Sequence, residues 1–119
     1  DAVLAQRLLR KICPNCRRSY LPDAALLQQL NLDAGIIQQK EFFQGSGCSS
    51  CANTGYTGRQ GIFEMLSVSE SVRELISEGK PAVSIREQAL NEGMRTLRED
   101  GLRNIFTGVT SVEEVIRYS

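Results

Sequence analysis

Residues 47–61 read GCSSCANTGYTGRQG, two cysteines two residues apart followed by glycine, asparagine and threonine with hardly an apolar side chain. A second pair precedes it at Cys13–Pro14–Asn15–Cys16, and these two pairs use all four cysteines of the chain. A CxxC turn can aim two thiolates at one tetrahedral ion, and two such turns complete a four-sulfur site of the kind structural zinc prefers. Cys13, Cys16, Cys48 and Cys51 are therefore the candidate metal ligands. Two other readings compete, disulfides and a redox CxxC. Disulfides call for an oxidising compartment, and a thioredoxin-like motif occurs once, at the start of a helix after a strand. Four thiolates leave no coordination position for an activated water, so the expected zinc is structural rather than catalytic.

The 31 residues between Cys16 and Cys48 exceed the ~15–20 of a zinc ribbon and imply an inserted helix. The stretch PDAALLQQLNL supplies one, starting near Asp23 and ending by about Asn31. KEFFQGSG reads as a short strand, and GIFEMLSV as a second strand or extended segment. Upstream, Leu4, Leu8 and Ile12 recur four residues apart, which predicts a helix over 2–12 that delivers the chain into the first knuckle. Gly47, Gly55, Gly58 and Gly61 are expected to supply backbone angles closed to other residues.

Downstream the pattern is helical. Ser67/Glu70, Ser84/Glu87, Thr96/Glu99 and Ser111/Glu114 each have the spacing of a capping box, in which hydroxyl and carboxylate satisfy open backbone N–H groups. They predict helices at about 69–78, 85–93, 97–107 and 112–118. The stripes Val72/Leu75/Ile76, Leu97/Leu102/Ile105/Phe106 and Val112/Val115/Ile116 are expected to pack together as a small all-helical lobe. The expected fold is thus mostly α with a small zinc-stabilised β/loop region. Residues 1–68 form a helix plus a four-cysteine zinc-binding lobe, and residues 69–119 a four-helix C-terminal lobe.

Fourteen basic residues balance fourteen acidic ones; residues 1–59 hold seven against four, residues 60–119 seven against ten. That asymmetry is too weak to argue for nucleic acid or an anionic membrane. The alternative of a nucleic-acid-binding zinc ribbon would use Arg7, Arg10, Lys11, Arg17 and Arg18, but only Tyr20 stands nearby for base stacking. No apolar run approaches the ~18–20 residues of a membrane span and the start lacks the order of a signal peptide, which reads as soluble and cytoplasmic. The sequence holds no histidine, no GxxxxGK[ST] phosphate loop and no GxGxxG. No residue of the chain is expected to be catalytic or to bind a nucleotide. It opens without Met, as a piece of a longer protein would.

Taken together, AQRLLRKICPNC, GCSSCANTGYTGRQGIFEML and EGMRTLREDGLRNIFTGVTSVEEVIR resemble the C-terminal part of the type II secretion and type IV pilus assembly ATPases, over nearly the whole chain. Residues 47–64 fit a pattern GCxxCxxTGYxGRxGIxE, and the four cysteines fall on that family's tetracysteine metal site. Related retraction motors generally lack the site, so the resemblance points to the export or assembly branch. It implies a hexameric cytoplasmic motor, peripheral at the inner membrane, whose ATP and Mg2+ cycle moves a membrane platform protein that extrudes pilin or pseudopilin. Neighbouring subunits and that platform are the implied partners. The motor's catalytic residues would lie upstream of Asp1. Arg59 matches the motif's arginine, and its expected role is to pair with a carboxylate or carbonyl near the knuckle.

Overall fold

The structure is a computed structural model that describes residues 2–119. Its backbone is a long antiparallel ribbon, β1 (Ala2–Ile12) paired with β4 (Tyr56–Leu66). A smaller ribbon pairs β2 (Arg17–Tyr20) with β3 (Phe42–Gly45). Helices α1 (Ala24–Gln29) and α2 (Ala34–Gln39) are inserted between β2 and β3. Four more follow β4: α3 (Glu70–Ser77), α4 (Ala82–Asn91), α5 (Leu97–Phe106) and α6 (Val112–Tyr118). The long ribbon gives the chain its elongated shape, 56 × 31 × 18 Å. Among the described residues the fold is mixed, six α-helices around two small sheets, and not mostly α.

The expected helix over 2–12 is a strand. A spacing of four residues is close to one helical turn but is also a multiple of the strand period of two, so Leu4, Leu8 and Ile12 fit either element. A helical stripe would bury all three, yet Leu4 and Leu8 are 46% and 51% exposed while Leu9 is fully buried. The ladder of nine residue pairs with β4 decides the matter, because tertiary pairing outweighs weak local propensity. β4 carries the alternation that specifies its face: Ile62, Glu64 and Leu66 are buried, Phe63 and Met65 exposed. It begins at Tyr56, five residues before the expected Gly61.

The helix between the knuckles lies where expected, as α1, and α2 adds a second, capped by the Asp33 side chain accepting from the Gly35 N–H. The four downstream helices also exist, and two of the four hydroxyls cap as read, but without the reciprocal carboxylate of a capping box. Thr96 accepts from the Glu99 N–H at 3.1 Å and Ser111 from the Glu114 N–H at 3.3 Å. For α3 the capping hydroxyl is Ser69, not Ser67, accepting from the Val72 N–H at 3.1 Å. For α4 the start is Ala82 after Pro81, and Ser84 lies inside the helix. Proline holds φ near the helical value without needing an N–H partner, so it opens the helix ahead of the hydroxyl.

The three apolar stripes do not pack together as one helical lobe. Leu97 and Ile105 of α5 with Val112 and Val115 of α6 join Leu9, Leu27, Leu30, Phe42 and Ile62 in one core. Of the first stripe Val72 is buried in a separate cluster with Leu66 of β4 and Ala89 of α4, flanked by Ile85 and Met94. Gly101 lets α5 and α6 approach, since a Cβ there would come within 2.9 Å of the Val115 side chain.

Candidate metal centre

The four cysteines converge from two equivalent turns. The Cys16 N–H donates to the Cys13 carbonyl and the Cys51 N–H to the Cys48 carbonyl, each at 3.3 Å. The first turn joins β1 to β2; the second, with a 3-10 turn at Ser49–Cys51, joins β3 to β4. Both ribbons therefore end at the same point. The sulfurs stand 3.8 Å apart for Cys13 and Cys48, 3.9 Å for Cys16 and Cys51, and 3.7 Å for Cys48 and Cys51. All four Sγ atoms lie within 4.8 Å of one another. A tetrahedron with metal–sulfur bonds of ~2.3 Å has edges of about 3.8 Å, so the donor set fits one tetrahedral ion.

Polar hydrogens also converge on the sulfurs. Gly47 N–H donates to Cys16 at 3.3 Å, Gly55 N–H to Cys51 at 3.2 Å, Cys48 N–H to Cys51 at 3.3 Å, and the Asn15 side chain to Cys48 at 3.3 Å. Such donors favour thiolates over thiols. Burial raises the Cys51 thiol, but the Gly55 and Cys48 N–H groups outweigh it and bring its pKa down to about 6. Cys16 goes the other way, pushed up to about 11 by burial against the single Gly47 donor. All four are free cysteines.

The polar loop after the second knuckle is shaped by close backbone contact. Gly55 has φ +83°, and a Cβ on it would meet the Gly45 carbonyl oxygen at 2.6 Å. A Cβ on Gly45 would meet the Gly55 oxygen at 2.2 Å. Here the end of β3 lies directly against the start of β4. Gly47 and Gly58 also have positive φ, but Gly61 does not. What Gly61 needs is its lack of a side chain, because the Phe63 ring sits 2.9 Å from where a Cβ would be.

The candidate centre is fastened to the C-terminal helices. The Ile12 N–H donates to the Val109 carbonyl at 2.8 Å, and the Thr110 hydroxyl donates to the Arg10 carbonyl at 2.7 Å. Arg10 pairs with Glu114 and stacks 4.1 Å above the Tyr56 ring, whose hydroxyl lies 2.6 Å from that of Ser111. Arg17 donates to the Gly108 carbonyl and covers the Phe43 ring. With Arg7, which donates to the Gln6 carbonyl, three of the five basic residues considered for nucleic acid are engaged within the chain. Arg59 sits opposite Arg10 in the ladder and is exposed, and among the described residues it has no hydrogen bond or ion pair. Neither the carboxylate nor the carbonyl expected to pair with the Arg59 side chain is bound to it among the described residues. Sequence reasoning missed the Arg10–Glu114 and Glu64–Arg86 pairs; the residue types were visible, but nothing local pairs positions so far apart.

A twin-ribbon α+β chain whose four cysteines could hold a metal ion at the ribbons' shared end is the class defined here. Residues 1–117 match the family described as type II/IV secretion system protein, and the chain belongs to that family. It is 44% identical over 114 residues to the type IV pilus assembly ATPase PilB of Thermus thermophilus, covering 96% of this chain and 13% of that protein. It is 40% identical over 115 residues to the type II secretion system protein E of Dickeya dadantii, covering 97% and 22%. Against the type II secretion system ATPase E of Vibrio cholerae the identity is 37% over 119 residues, covering 97% and 22%. The chain thus spans less than a quarter of the length of these relatives. No helix among the described residues is long and apolar enough to cross a membrane.

Proposed function

We propose that this chain is the metal-stapled C-terminal region of a motor ATPase that powers protein secretion or pilus assembly. The observation that carries the reading is the four-sulfur cluster in a chain similar throughout to proteins named as such ATPases. Cys13, Cys16, Cys48 and Cys51 bind one structural Zn2+, which supplies a closed, redox-inert tie between the two ribbons. The parent chain carries the nucleotide site and hydrolyses ATP with Mg2+ as a hexamer in the cytoplasm, peripheral at the inner membrane. This region supplies no catalytic residue. It presents a shaped surface to neighbouring subunits and to the inner-membrane platform protein.

Metal analysis of protein purified without chelator tests the first half: one zinc per chain is expected, and a stoichiometry near zero overturns it. The second half is tested by Cys48→Ser in the full-length parent, where export or pilus assembly should fail while basal ATP hydrolysis persists. Loss of both to the same degree would place the metal in the catalytic machinery instead.

A further inference from the structure

The two pairs of C-terminal helices are attached to the ribbons very differently. Helices α5 and α6, with the turn between them, reach the rest of the chain through many separate bonds. They include Arg10 to Glu114, Tyr20 to Glu113, Arg98 to the Gln29 carbonyl and the Phe63 N–H to Asp100. Apart from the Ser69 hydroxyl at the joint, which caps α3 and donates to Glu92, the side-chain hydrogen bonds from α3 and α4 to the remainder among the described residues all come from Arg86. Its guanidinium donates to Glu64 at 2.8 and 3.0 Å. Glu64 itself is held from the other side, accepting from the Leu97 N–H at 2.9 Å, so the receiving end belongs to the body of the molecule.

The apolar attachment is equally thin. The α3–α4 hairpin has its own small cluster, which borrows Leu66 from the end of β4 and Met94 from just beyond Gly93. Between the hairpin and the ribbon runs an apolar groove of about 470 Å³, with Leu4 and Leu66 on one wall and Ile76, Ala82 and Ile85 on the other. Ile76 is half exposed into it. On the far side a cleft of about 220 Å³ separates Met65 and Ser67 from Ala89 and Met94. The hairpin joins the body through 67–69 and through Gly93, whose φ is +97° and whose missing Cβ would touch nothing within 4 Å. That glycine is the left-handed cap that ends α4, the Met94 N–H donating to the Ala89 carbonyl at 2.9 Å as the chain turns into the body.

We propose that α3–α4 is a hinged flap over this apolar groove, latched to the body by the Arg86–Glu64 pair. Few buried contacts and one partly exposed ion pair are the marks of a unit that opens below the global unfolding free energy. Arg86 is 44% exposed, so salt weakens the latch.

Amide hydrogen exchange on the whole 119-residue chain, loaded with zinc, tests this. At low salt, amides in 72–91 should exchange together, at least about tenfold faster than the slowest amides of β1, β4 and α5. Arg86→Met, which keeps the aliphatic stem, should speed 72–91 a further several-fold and leave the other elements unchanged. Should that variant not fold, raising NaCl from about 0.05 to 1 M on the unaltered chain should speed 72–91 selectively. Equal protection of hairpin and body, or acceleration of both alike, overturns the proposal. So does insensitivity of 72–91 to both the substitution and salt.

Discussion

Glu114, fully buried and 104 residues from Arg10 in sequence, accepts three hydrogen bonds from that one residue. One oxygen takes the Arg10 Nε and terminal nitrogen at 2.9 and 2.6 Å; the other takes the Arg10 backbone N–H at 2.9 Å. Position 114 has the spacing of a capping-box carboxylate, but its carboxylate is spent across the fold, clamping α6 to the strand that enters the first knuckle. Glu114→Ala removes the acceptor and leaves a cavity. Because Arg10 is 46% exposed and can rehydrate, the cost falls below that of a fully buried pair, about 2–4 kcal/mol. Urea unfolding of the two proteins measures it; a difference under ~0.5 kcal/mol would show the clamp to be idle.

Removing one thiolate should loosen more than the knuckles. With Cys48→Ser the proposed ion would lose a ligand, and because its binding and local folding would be one equilibrium, the lobe should be destabilised by several kcal/mol. The Ile12–Val109 and Thr110–Arg10 bonds carry that loss into α5 and α6. Exchange should therefore rise in residues 12–60 and in 97–116 together, with 72–91 changed least. Unchanged protection in α5 and α6 would show them to be independent of the metal.

Two glycines separate conformation from crowding. Gly79 has φ +70° with nothing within 4 Å of a Cβ, so Gly79→Ala incurs only the left-handed penalty of about 1–2 kcal/mol. Gly55→Ala adds a collision with the Gly45 carbonyl, at least another ~1–3 kcal/mol, and should lower metal affinity because the Gly55 N–H donates to Cys51. Thermal melts and competition with a chromogenic chelator measure both. Equal effects at the two positions would contradict the close approach.

The Glu64–Arg86 latch is expected to depend on pH. The Arg86 hydrogen bonds, against burial, hold the Glu64 carboxyl below its usual range. A depressed carboxylate contributes stability that is complete above its unfolded value, near ~4.3, and is lost as pH falls through the lower folded value. The stability difference between wild type and Arg86→Met should hold from about pH 7 to 5 and shrink below about 4. A gap that widens on acidification would reverse the assignment.

How much could be read beforehand follows from the range of the interactions. The two CxxC turns and the helices at 97–106 and 112–118 were legible, because a CxxC turn and a hydroxyl cap are each complete within a few residues, and the inserted helix at 24–29 showed through its composition after Pro22 and Asp23. The β1 strand was not, since its four-residue spacing satisfies both periods and its partner lies some fifty residues away. Nor was β2, which is four mostly exposed residues that are a strand only because Phe42–Gly45 pairs with them. The apolar stripes told which faces are buried but not against what, and so Val72 parted company with Ile105 and Val115. By itself the sequence determined which four cysteines form two CxxC turns and which hydroxyls open α5 and α6, because those interactions are short-range. The tertiary structure decided which ribbon the helices close upon and whether Glu114 caps or clamps, because burial and charge pairing are settled only when distant segments meet.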